Sequence, residues 1–279
     1  MAESGIHIGM NGRFFPGNWR AARDEIVFAK MAGFDCIQFP GMLKGLDTNR
    51  LGDPLEVVGM ALRRAGLTGV LEMVVPLYAN GRTTEGDTPM AVLEANLQAI
   101  KSLQCTHVHW HFVLKENLAD EQLRALEQQL ASQLAEAVAL ARVHHFCFGL
   151  EHNSADVPLF HRPESCADVL TAVPDLGLVW DFNHTAEADF AAFSALADRV
   201  TMLHVSDTLW PDVNHHLPLG QGNLDLSWFL QRLAAAQFNG TAVLEIGGLP
   251  KSGGYGRDTN EALIESRARF EQMVQTYFT

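Results

Sequence analysis

LGLVWD (176–181) is the stretch that decides the fold. Its uncharged residues run straight into an aspartate. A strand this apolar has no face to give to water, so it reads as a buried strand of a parallel sheet. FCFGLE (146–151), VTMLHV (200–205) and TAVLEI (241–246) have the same form. Each of the four carries a metal-binding side chain at or near its end: Glu151, Asp181, His204 and Glu245. In a (β/α)8 barrel the C-terminal ends of all strands converge on one mouth, so residues far apart in the chain can share a site. Three carboxylates and an imidazole suit a divalent cation such as Mn2+, Mg2+ or Zn2+.

The strand period supports this grouping. Successive side chains alternate between faces, so Glu151 shares its face with Gly149 and Cys147, and Asp181 with Val179 and Gly177. His204 lies above Met202 and Val200, and Glu245 above Val243 and Thr241. The inward face is therefore small or apolar below and chemically active at the rim. Phe146, Phe148, Leu150, Leu178, Trp180 and Leu203 occupy the other face, where helices would cover them.

Working outward, four earlier runs complete a set of eight strands: IHIGM (6–10), FDCIQF (34–39), TGVLEMVV (68–75) and THVHWHF (106–112). Helical periodicity fills the intervals. NWRAARDEIVFAKMAG puts Ala22, Ile26, Val27 and Met31 on one stripe. The segment from Asp120 puts Leu123, Leu126, Leu130, Leu134, Val138 and Leu140 near one broad face. Eight alternations of strand and helix predict a single α/β domain over residues 1–279, a closed (β/α)8 TIM barrel. An open doubly wound sheet is the structural alternative, but no G-x-G-x-x-G fingerprint follows the first strand.

The chain has 279 residues, 47% of them hydrophobic, and a formal net charge of −13. That balance argues against a nucleic-acid partner, which would need a basic footprint. No apolar stretch is long enough to span a bilayer, so no membrane role is expected. MAESGIHIGM lacks the form of a secretory signal, and Cys36, Cys105, Cys147 and Cys166 form no CxxC pair. Cys36, Cys105 and Cys147 lie in or beside strand-like runs, where a free thiol behaves as a small buried hydrophobe. Together these features predict a reducing, cytoplasmic setting without disulfides.

Each site residue also has a plain structural reading. Glu151 and Glu245 could simply reach solvent at a strand end, Asp181 could cap a helix, and His204 could be a satisfied core residue. Asp207, three residues past His204, could orient it or contact substrate. Asp225 reads as a helix cap after the Gly220-Gln221-Gly222 turn, whereas His216 has no packing role on its polar loop. His107, His109 and His111 alternate along the fourth strand; facing inward, the upper ones line the pocket. Loops expected to set specificity include Asn11 after the first strand and the stretches 80–87, 208–216 and 249–258. Trp210 would either cap a sugar face or pack on the rim.

LEHN (150–153), WDFNH (180–184), LHVSD (203–207), HLPLGQG (216–222) and VLEIGG (243–248) together resemble the xylose isomerase-like barrel family. That family includes sugar epimerases, inosose dehydratase and apurinic endonucleases of the endonuclease IV type. The motifs cover the second half of the barrel in order. At the end of the second strand, where many relatives are acidic, this chain has Gln38.

The resemblance implies metal ligation by Glu151, Asp181, His204 and Glu245, with the two glutamates doubling as acid and base. It gives His184 a substrate contact and puts Asp207 where the ketose 3-epimerases place a glutamate. His216 resembles a histidine that binds an extra zinc in the endonuclease branch, but the accompanying aspartate falls at Asn214, a weaker ligand. The resemblance thus implies a divalent-metal-dependent isomerase or epimerase that abstracts a proton beside a carbonyl through a metal-stabilised enediolate. Loss of a β-hydroxyl from the same intermediate would make it a dehydratase, and a zinc phosphodiesterase is the remaining alternative. The implied substrate is a small carbohydrate or keto-acid, and the family architecture is compatible with a homo-oligomer.

Overall fold

The eight apolar runs become eight parallel strands that close on themselves in sequence order. They are β1 (His7–Asn11), β2 (Cys36–Pro40), β3 (Thr68–Leu77), β4 (Cys105–Leu114), β5 (Cys147–Glu151), β6 (Gly177–Asp181), β7 (Val200–Val205) and β8 (Thr241–Leu244). The computed structural model describes residues 5–248, 254 and 256–278. The loop expected at 249–258 therefore lies largely outside the described residues.

Closure is made by β1 and β8, where Gly9 pairs with Val243 and Met10 with Leu244. Around the barrel run α1 (Ala22–Ala32), α2 (Thr48–Leu51), α3 (Leu55–Ala65), α4 (Pro89–Ser102), α5 (Asp120–His144), α6 (Pro163–Ala172), α7 (Phe190–Ser194), α8 (Leu226–Ala235) and α9 (Asn260–Tyr277). None of the described helices is long and apolar enough to cross a membrane.

The inside of the barrel is built in layers, as side-chain alternation demands. Cys36, Val70, Val179, Met202 and Val243 form a small apolar cluster separate from the main core. Above it stand Gln38, Glu72, His109, Glu151, Asp181 and His204, all buried. The strand faces outside the barrel carry the large residues. Trp110, Trp180, Phe112 and Phe148 are buried among themselves and the helices, with Trp110 edge-on to Phe148 at 4.9 Å between ring centroids. The layer of small residues lets the rim side chains stand on a packed floor.

Two details differ from the sequence expectation. In α1 the buried stripe is Ala22, Glu25, Ile26 and Ala29, whereas Val27 and Met31 are 58% and 82% exposed. Glu25 displaces them because the Arg13 guanidinium, itself buried, clamps its carboxylate at 2.6 Å. Cys147, at the start of β5, is exposed rather than buried.

Candidate active site

The barrel brings Glu151, Asp181, His204 and Glu245 together: one potential ligand atom from each lies within 4.8 Å of every other. Parallel register explains the convergence. Glu151 pairs with Val179 on β6, and Asp181 pairs with His204 on β7. Glu245 follows the last residue of β8 and remains in the ladder through its amide, which donates to the Val205 carbonyl at 3.0 Å. His204 Nδ1 sits 3.0 Å from Glu151 Oε1 and 3.1 Å from Glu245 Oε2.

The donor set fits a divalent cation. Oxygen atoms from three carboxylates and one imidazole nitrogen face one point. Asp181 Oδ1 is committed to the Asn183 amide at 2.6 Å. Asp181 Oδ2 and Glu151 Oε2, by contrast, are buried without a hydrogen bond among the described residues. Imidazoles approach both, His184 Nε2 at 3.3 Å and His111 Nδ1 at 3.3 Å, but not in hydrogen-bond geometry. A buried carboxylate with a free lone pair is costly unless a positive charge meets it. Two such oxygens lie in one place beside Glu245 and His204, a donor set that suits a cation.

The electrostatics agree. Burial alone would raise the Glu151 carboxyl, but His111 and His204 hold it well below its ordinary value. Burial likewise opposes the charge on Glu245, yet His204 brings that group down to about 2. Burial would lower His204; Glu151 and Glu245 override it and push the imidazole well up. Asp181 moves the other way, because burial outweighs the help of His184 and His216. These shifts describe one cluster of mutually compensating charges.

A cavity of about 340 Å³ opens on this cluster. Asn11, His111, His184, His216 and Glu245 line it, so four of the five expected substrate-facing residues share one chamber with Glu245 of the cage. Asn11 Nδ2 donates to Glu245 Oε1 at 3.4 Å. His216 contacts the Glu245 carbonyl through Nδ1 and Asn214 Oδ1 through Nε2, at 3.2 and 2.9 Å. His111 is held on both sides. Asn153 turns its amide nitrogen to the Phe112 and Leu159 carbonyls, so its oxygen must accept from His111 Nε2 at 2.6 Å. Burial would lower His111, but Glu151 and Glu72 raise it to about 10.

Asp207 has a different position from the one expected. Its carboxylate accepts from the amides of Thr208, Gly220, Gly222 and Leu224 at 2.8–3.1 Å and takes no part in lining the cavity. Its carboxylate ties down the loop after β7 rather than orienting His204. Trp210 stacks on Phe190 at 4.7 Å between centroids, so it belongs to the rim. Residues 80–87 also stay off the cavity wall, while Asn214 and His216 of the 208–216 loop reach it.

Sequence reasoning assigned no role to Glu72, Gln38 or Asn153. Glu72 lines the cavity, and its two oxygens contact His111 Nδ1 and Gln38 Nε2 at 3.2 and 3.0 Å. Its signal was a carboxylate in the middle of an apolar strand, which must be paired if buried. Asn153 stood in plain view within LEHN.

Residues 26–272 match the family described as the xylose isomerase-like TIM barrel. The chain belongs to that family. No curated protein sequence matches it. Solved structures share the barrel at low identity. The IolI protein with a bound zinc atom superposes with a TM-score of 0.76 at 17% identity, covering 98% of this chain and 99% of its own. D-psicose 3-epimerase from Clostridium cellulolyticum H10, solved with D-tagatose, gives 0.72 at 13% identity, with 98% and 99% covered. The 3-keto-D-glucoside 4-epimerase of E. coli gives 0.70 at 17%, with 96% and 99% covered. At these identities the likeness establishes the fold, and the chemistry must be argued from the site.

Proposed function

We propose that the protein is a divalent-metal-dependent isomerase or epimerase of a ketose or related keto-sugar. The observation that carries this reading is the pair of glutamates, Glu151 and Glu245, flanking His204 with Asp181 beside them at the foot of a cavity. Glu151, Asp181, His204 and Glu245 would hold the cation. Bound there, it would act as a Lewis acid, polarising a substrate carbonyl and lowering the cost of negative charge developing on its oxygen.

Glu245 lines the cavity, so its carboxylate can meet the C–H beside that carbonyl. One glutamate accepts the proton and the other returns it. Return to the opposite face makes an epimer, and return to the neighbouring carbon makes an isomer. His184, His216 and Asn11 line the wall where substrate hydroxyls would lie, and His111 stands charged beside Glu151. The cavity volume suits a sugar-sized ligand. Its wall carries no lysine or arginine among the described residues to meet the phosphates of a nucleic-acid backbone. The buried free thiols Cys36, Cys105 and Cys166 suit a reducing, cytoplasmic compartment.

The test is direct. Protein purified with Mn2+ or Mg2+ is assayed for bound metal and then offered ketoses, inososes and keto-acids, with thermal shift as the first readout. Turnover of a ketose by epimerisation or isomerisation is expected. Glu245→Gln should lower that turnover by about 10³-fold, the scale of a lost acid–base group. Retained turnover in that variant would refute the assignment, as would incision of an abasic duplex without any sugar activity.

A further inference from the structure

Gln38 and Glu72 form a line of hydrogen bonds that ends on the imidazole of the cage. His204 Nε2 is 2.9 Å from Gln38 Oε1, and Gln38 Nε2 is 3.0 Å from Glu72 Oε2. His204 and Gln38 are fully buried, and Glu72 is 8% exposed. Chemistry fixes the direction of each link. A carboxylate only accepts, so Gln38 must turn its NH2 toward Glu72. Its carbonyl oxygen is then the atom facing His204, and a carbonyl also only accepts. His204 must therefore carry hydrogen on Nε2. In the neutral imidazole this leaves the lone pair on Nδ1, the nitrogen facing Glu151 Oε1 and Glu245 Oε2.

We propose that Gln38 and Glu72 are positioning residues that hold His204 in the Nε2–H tautomer and so make Nδ1 the metal-ligating atom. Glu72 sets the amide and the amide sets the ring. Glu72 is itself anchored from the far side, where Oε1 meets His111 Nδ1 at 3.2 Å. The outer partner of a ligating imidazole fixes its tautomer and orientation, and losing it typically weakens metal binding 10–100-fold. Here the partner is a neutral amide backed by a carboxylate on the adjacent strand. The proposal rests on the metal-holding half of the reading above and is independent of the reaction.

The experiment uses full-length protein, with Zn2+ as the probe, and two readouts besides activity. The first is the Zn2+ dissociation constant. The second is the 15N spectrum of the His204 ring with Zn2+ bound, which identifies the metallated nitrogen and the protonated one. Wild type should show metal on Nδ1 and hydrogen on Nε2; metal on Nε2 overturns the proposal without any variant. Gln38→Leu should weaken Zn2+ about 10–100-fold. Combining Gln38→Glu with Glu72→Gln restores both acceptor and donor in swapped order, and should recover most of that affinity.

Unchanged affinity in a folded Gln38→Leu, or no recovery in the folded swap, refutes the relay. If Gln38→Leu fails to fold, the wild-type spectrum and the swap carry the test. The relay and the proposed function fail separately. Wild type that binds Zn2+ through Nδ1 yet turns over no sugar sinks the function alone. Wild type that turns over a ketose while Gln38→Leu keeps full affinity sinks the relay alone.

Discussion

Buried Arg13 shows how one pair can fix a region before the site is reached. Its Nε and Nη2 grip both oxygens of Glu25 at 2.6 Å, and its amide donates to the same carboxylate at 2.8 Å. Nη1 then reaches the Asp258 carbonyl and Asn260 Oδ1 at 3.1 and 2.8 Å. The loop after β1, helix α1 and the start of α9 thus meet on one guanidinium. Removing one partner of such a pair leaves an uncompensated buried charge. Glu25→Ala should therefore cost about 3–5 kcal/mol in urea unfolding, and a loss below about 1 kcal/mol would contradict this account. The same pair marks a limit of sequence reading. Periodicity put Val27 and Met31 inside α1, since nothing in a one-dimensional pattern says that Glu25 has a buried arginine waiting 12 residues earlier. Glu72 and Gln38 were obscure for the same reason. A polar residue in a strand is as compatible with solvent as with burial until the neighbouring strand's register is known.

At the scale of elements, strand ends were the legible part. The four apolar runs with terminal metal-binding residue types needed only the period of a strand and the geometry of a barrel, and the four side chains meet. Loops were less legible because side chains there answer to the backbone. Asp207 illustrates this. It reads as a site residue in LHVSD, but four amides of the β7–α8 connection claim its carboxylate. Two of those amides belong to Gly220 and Gly222. Gly220 has φ of +88°, and a Cβ on Gly222 would collide with the Thr208 carbonyl and Asp207 itself. The Gly-x-Gly turn is therefore shaped to wrap a carboxylate. Asp207→Ala should strand these amides and destabilise the protein by about 3 kcal/mol. Hydrogen exchange should quicken at Gly220, Gly222 and Leu224 while the cation affinity measured for the wild type is retained. Unchanged protection at those amides would show that the carboxylate does not organise the turn.

Across the whole molecule, the barrel interior grades from an N-terminal end that holds a titratable imidazole, through an apolar layer, to the charged rim. That imidazole is His107, whose Nδ1 lies 3.4 Å from Thr241 Oγ1 on β8, across the barrel. Burial first, then the nearby His109 and His7, lower it from 6.5 to about 4. This sets a direction for stability against pH. The unfolded chain gains a proton on this residue as pH falls through about 6.5, whereas the folded chain refuses it until about 4. The contribution is whole above that window and is lost as pH falls through it. For a partly exposed ring, solvent screening reduces the effect to about 2 kcal/mol. His107→Gln keeps a hydrogen-bonding partner for Thr241 but removes the titration. All other titratable groups are common to both proteins, so the difference between their stability–pH curves reports His107 and its coupling to His109 and His7. The wild-type curve should fall more steeply than the variant's between pH 6.5 and pH 4, the bounds set by the His107 shift. Parallel curves in urea unfolding across that window would mean that His107 takes up its proton in the folded barrel as readily as in water.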